Sequence, residues 1–204
     1  MYNVKTLFRH AVLALALAGS SLTAMAAPIS FHVDVNTTTL TGNGYLDLQF
    51  SALDSAPPAT VTFSNFSGAV GGVDFFDGNV LFNPGGTFTL ANLPGMGGLL
   101  SFNALFGGML GFDLMFSDDY ASATGTDGST LTVGLLDDAF APIGGDYGIA
   151  RFELTPGVGV VTSANGDFAT IGPVVADVPE PAAWLLLATG LGLLGFMQRR
   201  RAAR

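Results

Sequence analysis

The sequence predicts an all-β chain: an antiparallel β-sandwich of jelly-roll type, with a C-terminal transmembrane helix added. Three observations predict it. Apolar residues between 28 and 178 recur with period two, turn-forming clusters interrupt them at short intervals, and a charge-free apolar run followed by arginines closes the chain.

The strands come first. In FHVDV, Phe31, Val33 and Val35 alternate with His32 and Asp34. YLDLQF sets Leu46, Leu48 and Phe50 against Tyr45, Asp47 and Gln49, and TVTF contributes Val61 and Phe63. LGFDLMFS carries Leu110, Phe112, Leu114 and Phe116 on one face. TLTVGLL groups Leu131, Val133 and Leu135, and ARFEL groups Ala150, Phe152 and Leu154. Alternation of this kind marks half-buried antiparallel strands, because successive side chains leave a strand on opposite sides. No stretch of this region keeps a long 3.6-residue period. TGNG, DSAPPA, NPGG, TGTDGS, APIGGD and SANGD supply the turns between. Strands and turns without helix point to two packed sheets over one core. No internal repeat divides the chain, so one domain is expected over 27–171, followed by the spacer GPVVADV at 172–178.

Charge is distributed unevenly. The basic residues are Lys5, Arg9, Arg151, Arg199, Arg200, Arg201 and Arg204, whereas all sixteen acids fall between Asp34 and Glu180. From Ala27 to Val178 there are fifteen acids and one arginine, a net charge of 1 − 15 = −14. Such a surface cannot displace counterions from phosphates, which excludes nucleic acid, and it disfavours anionic membrane surfaces. Cysteine is absent, so an exported domain must hold together by core burial without disulfides.

The two ends read as targeting segments. Residues 1–26 have a secretory signal's three parts: Lys5 and Arg9, the apolar stretch Ala11 to Ala18, and the small-x-small cleavage site formed by Ala24 and Ala26. Cutting after Ala26 avoids placing Pro28 just beyond the broken bond. At the other end, Ala182 to Met197 carries no charge. A helix over 182–198 is slightly short for a bilayer but is extended by snorkelling of Arg199 and anchored by Trp184. Arg199, Arg200 and Arg201 remain cytoplasmic by the positive-inside rule, which puts the middle of the chain on the far side, as the signal peptide also requires.

Pro179-Glu180-Pro181, a short membrane helix and an arginine cluster, in that order over 179–201, resemble the PEP-CTERM sorting domain of Gram-negative bacteria that make exopolysaccharide. The resemblance implies processing by an exosortase, an integral-membrane cysteine protease. Two prolines cannot sit inside one continuing helix, so the tripeptide stays extended at the membrane surface where an enzyme can read it. GYLDLQFS, TVTFSNFSG, FDLMFS and LTVGLLD are similar to a subfamily of such proteins, about 200 residues long, for which no activity is established.

Chemistry is sparse in the middle of the chain. His32 is the one histidine after the signal segment, and alternation places it on the polar, solvent-facing side of its strand. A Ser-His-Asp arrangement would have to use it. No His or Cys spacing suits zinc. TDGST around Asp127 has the wrong order for an aspartic protease, and the glycine-rich GGMLG and PGMGG are turns. No cofactor is expected. Calcium is the alternative, through turn carboxylates of Asp118, Asp119, Asp127, Asp137, Asp138 and Asp146, although they follow no known calcium-loop spacing.

These observations together give the expected function. The chain is an exported, exosortase-processed cell-surface or extracellular-matrix protein, not an enzyme, with a structural or interaction role beside exopolysaccharide. Its expected partners are the secretion machinery, signal peptidase, an exosortase and exopolysaccharide. It is held briefly at the inner membrane by its C-terminal helix before reaching the surface. The first alternative is a carbohydrate-binding module using Phe75, Phe76, Tyr120 and Tyr147, which lie in or near expected turns. The second is a glycoside hydrolase pairing an aspartate with Glu153.

Overall fold

The computed structural model describes residues 29–93, 97–117 and 120–174. The signal segment with Ala24 and Ala26, the Pro179-Glu180-Pro181 tripeptide, the spanning segment 182–198 and Arg199, Arg200 and Arg201 lie outside them, as do Asp118 and Asp119. Among the described residues no helix is long and apolar enough to cross a membrane.

The described residues form β1 (Ile29–Asn36), β2 (Asn43–Ala52), β3 (Thr60–Ser67), β4 (Val70–Gly78), β5 (Val80–Asn83), β6 (Thr87–Ala91) and β7 (Gly98–Leu105). They continue with β8 (Met109–Phe116), β9 (Ser129–Asp137), β10 (Pro142–Ile143), β11 (Ala150–Thr155), β12 (Gly159–Ala164) and β13 (Ala169–Pro173). Two antiparallel sheets result. One has six strands in the order β13-β1-β8-β3-β6-β5; the other has seven, in the order β12-β11-β9-β2-β7-β4 with β10 on β9. The all-β expectation holds. β13 runs to Pro173, where Gly172 and Pro173 pair with His32 and Phe31 on β1.

The alternation expected from the sequence builds the core. Val33, Val35, Val61, Phe63, Leu110, Phe112, Leu114 and Phe116 point inward from the six-stranded sheet. Leu46, Leu48, Phe50, Leu131, Val133, Leu135, Phe152 and Leu154 meet them from the seven-stranded one. Rings pack across the gap at centroid separations of 6.3 Å for Phe50 and Phe116, 5.9 Å for Phe116 and Phe152, and 4.8 Å for Phe66 and Phe102. Burying one such side chain contributes on the order of 1.5–3 kcal/mol, which lets a chain without disulfides stay folded.

Tyr120 corrects an expectation. It is not an exposed glycan contact but a core residue, 1% exposed. Its hydroxyl donates to the Pro57 carbonyl at 2.5 Å and lies 3.1 Å from Ser129 Oγ. Buried Asn92 completes the knot, donating to Pro57 O, Ser129 Oγ and Tyr120 Oη and accepting from the Ala59 amide. The reason is the apolar body of the tyrosine ring. It fills the end of the sandwich while its hydroxyl finds a partner, as a buried tyrosine must.

Candidate functional site

The same alternation that fills the core presents a second set of residues on the outer face of each sheet. On the six-stranded sheet, β1 offers His32 and Asp34, and β8 offers Asp113 directly opposite His32. His32 Nδ1 lies 2.5 Å from Asp113 Oδ1, and Nε2 lies 3.3 Å from Asp34 Oδ1. A register shift between Ser64 and Ser67 in β3 turns Asn65 into the left-handed region at φ 53°, where its amide donates to Asp113 Oδ2 at 2.7 Å. Asparagine tolerates that conformation better than most residues. The hydrogen bond to Asp113 is the main cause that raises His32 above its ordinary value of 6.5, and burial opposes it. For Asp113, partial burial favours the neutral acid, but Asn65 and His32 outweigh it and hold the carboxyl below 3.8. Carboxylates at both ring nitrogens favour the protonated imidazole, in which both nitrogens donate.

The outer face of the seven-stranded sheet is built differently. Tyr45, Asp47 and Gln49 leave β2 on this side, opposite Leu136, Gly134 and Thr132 of β9 and Asn103, Ser101 and Leu99 of β7. Ser101 donates to Asp47 Oδ1. Burial is the main reason Asp47 is raised above 3.8; the Ser101 bond opposes this, and the nearby charge of Asp74 adds to it. A hollow of 160 Å³ opens beside Asp47, lined among others by Gln49, Thr132, Gly134, Leu136 and Asp146. Gly134 forms part of its floor. A Cβ there would meet only the Asp47 side chain, at 3.5 Å.

Beside the hollow stands an aromatic pair that sequence reasoning missed. Asp137 to Ala141 forms the turn between β9 and β10, with Asp137 Oδ1 accepting from the amides of Ala139 and Ala141. Phe140 occupies its left-handed position at φ 62°, which glycine ordinarily fills. Its ring stacks on Tyr45 at 4.6 Å and 12°, and the residue remains 61% exposed. The available signal was DDAFAP, a hairpin turn with phenylalanine where a small residue is normal.

The expected contact residues do not form one platform. Phe75 on β4 is exposed and pairs with Ser101, so it shares the outer face with Asp47. Phe76, its neighbour, turns to the opposite side and meets Phe82 of β5 edge-on at 5.0 Å. Tyr147 is 80% exposed and lines a separate hollow of 220 Å³ with Arg151, Glu153, Ser163 and Asn165. Arg151 Nε lies 3.1 Å from Glu153 Oε1, an ion pair not aligned as a hydrogen bond. Glu153, on β11, has Arg151 beside it, and β9 separates it from Asp47 on β2. Asp127 accepts from Ser55, Asp137 organises its own turn, and Asp138 and Asp146 are exposed. Among the described residues no group of three His, Cys, Asp or Glu side chains is arranged to hold a metal ion.

Comparison with known proteins places one segment. Residues 177–201 match the family model of the PEP-CTERM protein-sorting motif. No curated protein and no solved structure matches the chain.

Proposed function

Because the chain carries a PEP-CTERM protein-sorting motif, with the export, transient C-terminal anchoring and exosortase processing that the motif implies, we propose that its β-sandwich is a structural or interaction protein of the cell surface or extracellular matrix, associated with exopolysaccharide. The motif match is the observation that carries this reading. Each part of the motif has its own physical task. Pro179 and Pro181 keep the segment around Glu180 unwound, the apolar run at 182–198 enters the membrane as a helix, and Arg199, Arg200 and Arg201 stop translocation. The jelly-roll form of the sandwich, the signal peptide cut after Ala26 and passage through the inner membrane belong to the same proposal. So does a role without catalysis, supported by the double engagement of His32 and by the strand β9 between Glu153 and Asp47.

Substitution tests the parts separately. Glu180→Ala leaves helix and charges intact, so the protein reaches the membrane and stays uncleaved. Replacing Arg199, Arg200 and Arg201 together with alanine removes the stop, and the tail inserts poorly. Fractionation and intact-mass measurement in hosts with and without the exosortase gene read both outcomes. An identical full-length membrane form in both hosts reduces the segment to a plain tail anchor. Association with the matrix is read by co-fractionation of the processed protein with shed polysaccharide.

A carbohydrate-binding module is the second reading, favoured by the Tyr45–Phe140 stack, in which Phe140 is exposed, near a hollow of mixed polar and apolar lining.

A further inference from the structure

We propose that the hollow over Gly134, together with the Tyr45–Phe140 stack, is a binding site for one neutral pyranose unit of a polysaccharide chain; this rests on the polysaccharide-associated reading above. Of three residues that each work against the fold, two line this hollow and the third stands in the turn that leads to it. Phe140 adopts a left-handed backbone conformation that strains a bulky side chain. Gly134 interrupts β9 between β2 and β11, where a β-branched residue packs better, although its Cβ position is open. Asp47 is drawn partly out of water, and its ionised form is disfavoured there. Independent faults of packing would scatter over the surface. Asp47 and Gly134 are cross-strand partners that both line one hollow, and Phe140 adjoins it through Tyr45, on which it stacks and whose cross-strand partner Leu136 lines the hollow.

The chemistry of the lining selects the occupant. A pyranose has a flat face of C–H groups and a rim of hydroxyls. Phe140, stacked on Tyr45 and exposed, offers an aromatic face to the first next to the hollow. Asp47 has one oxygen engaged by Ser101, which leaves the other to accept from sugar hydroxyls, and Gln49 and Thr132 both donate and accept. The volume of 160 Å³ lies below the roughly 300 Å³ at which drug-sized pockets begin, which suits one ring rather than a multi-ring ligand held whole. Charge excludes acidic sugars. Asp47 and Asp146 line the hollow, and the region from Ala27 to Val178 carries a net charge of −14. Phe75, in register with Ser101 on the same face, extends the aromatic surface beyond the hollow for a continuing chain.

The test uses the full chain, purified in a sugar-free zwitterionic detergent, and the host's own shed polysaccharide separated by anion exchange into neutral and acidic fractions. Affinity electrophoresis should show retardation by the neutral fraction and little by the acidic one. Gly134→Val fills the hollow with a residue suited to a strand, and Phe140→Gly removes the platform while relieving the backbone. Both variants should fold, with thermal midpoints close to that of the starting protein, and bind about tenfold more weakly. Undiminished binding by both variants overturns the site, as does preference for the acidic fraction or absence of retardation by either. If the protein still co-fractionates with matrix in those cases, only the site has failed. If it does not associate with matrix at all, the broader reading has failed as well.

Discussion

The two outer faces of the sandwich use the same strand alternation to different ends. On the six-stranded sheet the polar groups satisfy one another: His32 binds Asp34 and Asp113, and Asn65 takes the second oxygen of Asp113. On the seven-stranded sheet Asp47 has one oxygen bonded to Ser101, and it adjoins a hollow rather than a neighbouring cation. Satisfied networks rigidify a surface, whereas incompletely satisfied groups beside a hollow are disposed to bind. A charged cluster alone therefore does not mark a functional face; the disposition of its remaining hydrogen-bonding capacity does.

Four substitutions break or sharpen this comparison. The largest effect is expected from Phe112→Ala, which removes a fully buried ring beneath both faces, 5.9 Å from Phe63 and 5.7 Å from Phe66. It should cost about 3 to 5 kcal/mol in urea unfolding, and a loss below about 1 kcal/mol would contradict the inward orientation of β8.

The next effect distinguishes the His32 face by pH. His32 is raised in the folded state, so the stability its pairing adds is complete below pH 6.5 and lost as pH rises through the raised value. Asp113 runs the other way. Its share is complete above pH 3.8 and lost as pH falls through the lowered value. Among the described residues, the neighbouring outward positions are the non-titrating Thr170 and Gly172 of β13 and Ser64 and Asn65 of β3. Melting temperatures from pH 3 to 9 should show both limbs, and His32→Gln should flatten the upper one. A variant that keeps the upper limb would assign it elsewhere.

Phe140→Gly should matter less to the fold. Relief of the left-handed conformation offsets the lost ring stack and the added freedom of the unfolded chain, leaving the variant within about 1 kcal/mol of the starting protein. A larger loss in urea unfolding would make Phe140 a structural residue. The smallest expected change is that of Asp47→Asn. Burial raises the folded value of Asp47 above 3.8, so its ionisation opposes folding at neutral pH. The variant should melt slightly higher at pH 7, with the difference shrinking as pH falls through the raised value. A lower melting point at pH 7 would mean that the charge is stabilised where it stands.

The strands legible in advance are those with clean alternation: β1, β2, β3, β8, β9 and β11 all contain the expected runs. The others lacked the signal for physical reasons. β4 reads VGGVDFFDG, and its register shifts twice against β7, which destroys period two. In β7, Leu100, Ser101 and Phe102 are buried in succession because Asp47 and Phe75 cover Ser101 from outside. Tyr120 read as a turn tyrosine because nothing local announces the pocket made by Pro57, Asn92 and Ser129, which lie far apart in the chain. Phe140 carried a local cue, but only its meeting with Tyr45 gives that cue a meaning.

By itself the sequence determined the all-β class, the inward set of side chains and the C-terminal sorting motif. These rest on period, composition and contiguous residues, which are properties of short segments. Tertiary structure decided which strands pair, and thus what each outward residue faces. Of the strand pairs only β5–β6, β9–β10 and β11–β12 join neighbours along the chain, while β1 pairs with β8 and β13, and β2 with β7 and β9. Partners separated by scores of residues leave no local trace in the sequence, because register is settled when the two sheets bury their apolar faces against each other. That non-local closure brings Asp113 to His32 and Gly134 to Asp47, and so makes one face self-satisfied and leaves the other with a hollow.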